Sequence, residues 1–176
     1  MLNSDTEFGE ASARVEALLL SAARAHHVDE VIKPALANNK IVLCDRFVDS
    51  TIAYQGGGSQ LDIDSLRRLN HFATGSLVPD LVVLVDIPAA EGLARRLQLV
   101  TGNEADLSRM EKRGVDFHNR VRRQFLNSAA RAPNRWFTVD GRLPKKSLSD
   151  TIWHRVETEL QDNIGKLMKR PDGHVL

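Results

Sequence analysis

With 176 residues and 24 Lys and Arg against 23 Asp and Glu, the chain is long enough for one domain with a core, and its net charge of +1 gives no electrostatic ground for a nucleic-acid or membrane-surface partner. A hydrophobic fraction of 42% and a charged fraction of 27% are ordinary for a globular protein, and no apolar run approaches the length that spans a bilayer. The single cysteine, Cys44, cannot close an internal disulfide, no Cys/His cluster has zinc spacing, and the acidic stretch Met1 to Glu10 does not read as a signal or transit peptide, so a cytoplasmic protein without a bound metal cluster is expected.

The first predicted element is a helix from Ser12 to Asn38, with Val15, Leu18, Leu19, Ala22, Ala23, Val28, Val31, Ile32 and Leu36 at helical spacing. Pro34 predicts a kink or a tightened turn near its end, and Asn38-Asn39 a left-handed stop. Ile41 to Cys44 is wholly apolar and reads as a short strand buried on both faces of a parallel sheet. Gly56-Gly57-Gly58 reads as a turn, and Asp62 or Asp64 as the cap of a helix lasting to about Thr74, with Gly75 as its stop. Leu81 to Asp86 is a second apolar strand, followed by a helix that Pro88 opens and that runs to about Val100. The charged stretch Thr101 to Gly114 has the composition of a flap. A helix from Val115 to Arg131, a strand from Trp136 to Asp140 and a last helix from about Leu148 to Met168 complete the chain. Strands alternating with helices predict an α/β fold, a parallel sheet with flanking helices, in a single domain spanning 1–176.

Three groups of residues carry chemistry. Asp45 to Gly58, DRFVDSTIAYQGGG, follows an apolar strand, and the carboxyl ends of strands are where open α/β sheets bind ligands. Arg46 offers a planar fork of donors suited to a phosphate monoester, Ser50, Thr51 and Gln55 can donate to phosphate or to a base edge, and Tyr54 can stack or hydrogen-bond. The plain alternative is a surface Asp45–Arg46 pair at a capped turn. Arg24, on an otherwise apolar helix, is either a snorkelling surface side chain or a planar cation aimed into a cleft. His26 and His27 diverge on a helix and do not make a metal pair. The flap and its approach carry Arg95, Arg96, Arg109, Lys112 and Arg113: either a solvated basic helix end or the cations that phosphoryl transfer uses to stabilise charge on the moving group.

Together these segments resemble the thymidylate kinase family of nucleoside monophosphate kinases, which transfer a phosphoryl group from ATP to dTMP. The likeness is carried by Glu16 to Arg24 with HVDEVIKPALANN, by DRFVDSTIAYQGGG, by VPDLVVLVDIPAAEGLARR, by SRMEKRGVDFHNRVRRQF and by WFTVDGRLP, in order and spacing over roughly residues 12 to 165. The resemblance implies that Arg46 holds the dTMP phosphate, with Asp45 near magnesium and the transferred group. It implies that Arg24 meets the thymine edge, and that Leu20, Ser50, Thr51, Tyr54 and Gln55 line the acceptor site. It assigns Arg95, Arg96, Arg109 and Glu111 to a lid at about 101–114, and Gly141 and Arg142 to the neighbourhood of the adenine. ATP and Mg2+ are the implied co-substrate and cofactor, and a homodimer the implied assembly.

Three departures accompany the likeness. Leu20 stands where the family places a phenylalanine, and Ser108 where it places an acidic residue before Arg109. The family also begins with a strand, a phosphate-binding loop ending in Gly-Lys-Ser/Thr, and a helix. No such tripeptide occurs here; the only Gly-Lys, Gly165-Lys166, is followed by Leu167. The expectation is a P-loop-kinase-like fold lacking its first strands, with apolar strand edges open and little or no kinase activity in the chain as it stands, the alternative being a non-catalytic nucleotide-binding or dimerisation module.

Overall fold

Ser12 opens the first helix by accepting the Val15 N–H on its hydroxyl at 3.3 Å, one of the backbone donors a helix start leaves unpaired. The computed structural model describes residues 11–99 and 110–168, and these form two compact units by their internal contacts. The first unit takes the chain up to Val78 together with Pro88–Ser128; the second takes Pro79–Ile87 and Ala129 onward.

In the first unit, α1 (Ala13–His27) passes into a π-helical turn, Val28–Ile32, and then α2 (Lys33–Ala37). The expected disturbance near Pro34 is this widened turn. Pro34 has no N–H to return to the Glu30 carbonyl, and the Lys33 N–H bonds the Val28 carbonyl instead, five residues back. Asn39 takes the left-handed conformation (φ 55°) and the Lys40 N–H closes on the Ala35 carbonyl at 3.0 Å, the predicted stop.

The face that α1 buries differs from the apolar stripe. Glu16, Ala17 and Ser21 are buried, whereas Val15, Leu18, Leu19 and Leu20 are exposed. Helix-forming periodicity located the helix correctly; it did not say which side meets the rest of the chain.

Residues Ile41 to Cys44 correct the expectation of a first buried strand. They pair with no strand among the described residues, and Ile41 is 75% and Leu43 98% exposed. Apolar composition favours a strand only where another strand supplies donors and acceptors for its backbone.

After Phe47 the chain forms α3 (Val48–Thr51) and continues as a seven-residue π-helical segment, Ile52–Gly58. The triple glycine is therefore helical and tightly packed, not the expected turn. Ile52 packs with Ala17 of α1 and Leu66 of α4 (Ile63–Thr74), while Ala53 packs with Phe117 and Val121 of α6 (Gly114–Arg131). The segment is thus held between two small apolar clusters. Asp62 caps α4 by accepting the Ser65 N–H at 2.7 Å, hydrogen bonding that draws its carboxyl below the usual range, and Gly75 ends the helix with φ 58°. The helix α5 (Ala89–Leu99) and a 3-10 turn, Glu111–Arg113, also belong to this unit.

The second unit holds β1 (Val82–Asp86) and β2 (Trp136–Asp140), parallel and in register from Val82 opposite Trp136 to Asp86 opposite Asp140, with α7 (Lys145–Met168) on β2. The parallel pairing is as expected; the number of strands among the described residues is two rather than three. Trp136 and Val139 of β2 are buried, whereas no residue of β1 is. No described helix is long and apolar enough to cross a membrane.

Candidate functional site

Asp45 and Arg46 form a bend between the unpaired Ile41–Cys44 stretch and α3. Arg46 sits at φ 68°, left-handed backbone that costs a residue with a Cβ on the order of 1 kcal/mol or more. Its carbonyl accepts the Cys44 thiol at 3.3 Å. Burial pushes that thiol up from its ordinary range, with Arg24 opposing and Asp45 reinforcing, so Cys44 stays protonated at neutral pH and acts as a donor within the turn, not as a nucleophile. From this bend the Arg46 guanidinium lies over the Tyr54 ring, 5.2 Å from its centroid. Asp45 and Arg46 are both exposed.

Arg24 does not snorkel along the helix surface; its guanidinium turns inward onto other elements. Nη1 donates to Asn70 Oδ1 at 2.9 Å; Nη2 donates to Thr51 Oγ1 at 2.9 Å and to the Phe47 carbonyl at 3.4 Å. The guanidinium also lies 5.8 Å from the centre of the Phe47 ring. Burial lowers its pKa, offset by Cys44 and Asp49, but an arginine remains charged throughout the physiological range. One helix, the bend and α4 therefore converge on a single cation.

Tyr54 completes an aromatic group with Phe117 and Phe125, at centroid distances of 6.3 and 6.2 Å. Gln55, one turn along from Thr51, is buried, and its Nε2 donates to Glu16 Oε2 at 3.3 Å. Glu16 is only 2% exposed and has Arg113 Nη2 3.7 Å away; Arg113 Nη1 in turn donates to Ser59 Oγ at 2.7 Å. A buried carboxylate is stable only with such partners. The close approach of α6 requires the glycines. A Cβ on Gly57 would stand 2.5 Å from Gln124 Cβ, and one on Gly58 2.5 Å from the Phe117 ring. Arg120 then closes the end of the segment, donating from Nε and Nη2 to the Gly58 carbonyl at 3.1 and 3.0 Å.

The sequence-named residues thus divide. Arg24 and Thr51 are in direct contact, as are Arg46 and Tyr54, and Ser50 precedes Thr51 on α3, its N–H bonded to the Phe47 carbonyl. Leu20, one turn before Arg24 on α1, is exposed. Arg95 pairs with Glu91 at 2.6 Å on α5, and Arg96 reaches across to Glu111 at 2.6 Å. Arg109 and residues 101–109 of the expected flap lie outside the described residues. Gly141 and Arg142 belong to the second unit: the Gly141 N–H bonds the Asp86 carbonyl at 2.7 Å, and Arg142 grips Asp140 with both Nε and Nη2 at 3.0 Å. No group of three metal-ligating side chains occurs among the described residues. Asn70 and Glu16 were not singled out from the sequence as site residues, and Arg113 was read as a flap cation, not as the partner of Glu16. Asn70 was the most visible of these, a polar residue on the same stripe of α4 as Leu66 and Ala73.

The family model described as thymidylate kinase matches residues 2–152. The chain is 48% identical over 141 residues to the thymidylate kinase of Thermomicrobium roseum, covering 80% of this chain and 65% of that protein. It is 46% identical over 148 residues to that of Cutibacterium acnes, covering 84% and 69%, and 44% identical over 158 residues to that of Desulforudis audaxviator, covering 90% and 69%. The chain spans about two thirds of the length of these curated relatives.

Proposed function

The chain belongs to the thymidylate kinase family, and from that premise we propose that it carries the acceptor side of a phosphotransferase for ATP and dTMP, yielding ADP and dTDP. The observation that carries this reading is the Arg46 guanidinium over Tyr54, on strained backbone, with Tyr54 three residues along the same helical run from Thr51, the partner of Arg24. A left-handed arginine persists only where its surroundings over-determine it, and such residues concentrate at ligand sites. Arg46 grips the dTMP phosphate with its planar fork, and Arg24 with Thr51 addresses the thymine edge. Tyr54, Ser50 and Leu20 flank the nucleoside, and Gln55 holds the wall of the site through Glu16.

Magnesium typically takes one or two carboxylates and completes its shell with water and substrate phosphates, a demand that the single exposed carboxylate of Asp45 suits. When bound, the ion neutralises phosphate charge. We assign Arg95, Arg96 and Glu111, with the expected Arg109 outside the described residues, the role of lid groups whose cations favour the transferring group, and Gly141 and Arg142 the binding of adenine. The chain works in the cytoplasm as a homodimer. The exposed row Val15, Leu18 and Leu19 on α1 supports that assembly: a helix that buries Glu16 and turns this row outward fits a second apolar surface.

The 176 residues contain no Gly-Lys-Ser or Gly-Lys-Thr. Without a backbone cradle and lysine for the ATP phosphates, the chain binds dTMP but turns it over slowly or not at all. Calorimetric titration with dTMP tests the reading: binding by the chain, weakened at least tenfold in Arg46→Ala, is expected. A chain that binds no dTMP overturns the acceptor site and leaves the second reading, a dimerisation module of the same fold, which the outward row on α1 favours. Rapid turnover of dTMP and ATP by the chain overturns the proposed inactivity.

A further inference from the structure

We propose that Asn70 is a positioning residue that orients Arg24 and thereby sets the preference of the acceptor site for one pyrimidine over another; the inference rests on the acceptor-site reading above. Asn70 is 5% exposed on α4, and its carboxamide is used at both ends. Oδ1 accepts from Arg24 Nη1 at 2.9 Å, and Nδ2 donates to the Val48 carbonyl at 3.3 Å. The reversed amide would set N–H against N–H and carbonyl against carbonyl, so the chemistry allows one orientation only. Asn70 therefore ties α1 to the first residue of α3 through one rigid group, and α3 carries Thr51, the other partner of Arg24.

The consequence is for the donors Arg24 has left. Among the described residues its bonds engage one N–H of Nη1 and those of Nη2, leaving the Nε–H and the second Nη1 N–H for a ligand. A guanidinium held at both terminal nitrogens presents these donors in a fixed plane, at little entropic cost on binding. A fixed donor discriminates. It satisfies a carbonyl such as O4 of thymine and opposes the amino group that cytosine carries at the same position, leaving both donors unpaired. Without the carboxamide, Arg24 keeps its charge and its two bonds from Nη2 but loses the one that holds Nη1, and the guanidinium can rotate to accept either base.

The test is calorimetric titration of the full chain and of Asn70→Leu, Asn70→Ser and Asn70→Asp with dTMP, dCMP and deoxyribose 5-phosphate, with folding checked by circular dichroism and thermal melting. The chain is expected to favour dTMP over dCMP. Asn70→Ser, and Asn70→Leu where it folds, weaken dTMP by about tenfold and narrow the dTMP-to-dCMP ratio, while deoxyribose 5-phosphate binding is unchanged. Asn70→Asp keeps the acceptor for Nη1 but loses the donor to the Val48 carbonyl, and is expected to narrow the ratio less than Asn70→Leu. Folded Ser and Leu variants with an unaltered ratio, or with all three ligands weakened equally, overturn the inference while the acceptor site stands. No dTMP binding by the unsubstituted chain instead removes the acceptor-site reading, and the inference with it.

Discussion

Arg46 is a residue whose backbone and side chain point to opposite interests. The left-handed bend suits glycine, and the cation over Tyr54 suits arginine. The two contributions separate by substitution. Arg46→Ala and Arg46→Gly both remove the guanidinium, but only glycine relieves the backbone, so the glycine variant is expected to be more stable than the alanine variant by about 1 kcal/mol. Denaturant titration of the two measures the difference, and equal midpoints would mean that the bend is unstrained. Both variants lose dTMP binding alike, because the grip on phosphate belongs to the side chain. Arg24 is different: its backbone is ordinary helix, and its orientation is imposed from outside α1, by Asn70, Thr51 and the Phe47 carbonyl. Nothing local to LSAARAHH specifies that inward turn, which is why the residues alone left both a snorkelling side chain and a cleft cation open.

At the scale of elements, the π-helical segment Ile52–Gly58 is what sets Tyr54 and Gln55 in place. Its widened turns are tolerated because α1 and α4 pack on one side and α6 on the other, and its glycines let α6 approach. A methyl group at Gly58 meets the Phe117 ring at 2.5 Å and Val121 at 2.8 Å, both in the buried cluster. Gly58→Ala is therefore expected to destabilise the protein by about 1–3 kcal/mol through overpacking. Phe117→Leu in the same chain should recover part of that loss by making room, a coupling that a double-mutant cycle reads directly. Additive effects of the two substitutions would show that the glycine serves the backbone and not the packing. A Gly-Gly-Gly run read by itself signals a turn, because a lack of side chains is compatible with tight bends and with tight packing alike.

At the scale of the whole molecule, several large apolar side chains among the described residues stand exposed. Val15, Leu18 and Leu19 line one face of α1, and Ile41 and Leu43 stand out from an unpaired stretch. The row on α1 is expected to form the homodimer contact. Leu18→Glu together with Leu19→Glu should convert the protein to monomer in analytical ultracentrifugation while leaving the far-ultraviolet circular dichroism unchanged, since neither side chain belongs to a buried cluster. A chain that is monomeric without the substitutions would refute the contact. By itself the sequence determined the helices with their caps, the two paired strands and the family likeness. Ser12, Asp62, Gly75 and Asn39 act on neighbours within a few residues, and periodicity reports a local backbone preference. The tertiary structure alone decided whether Ile41 to Cys44 would pair, which face α1 would bury, what the glycine run was for, and that Asn70 would hold Arg24. Each of these depends on a group tens of residues away, and no local preference encodes the presence or the position of that partner.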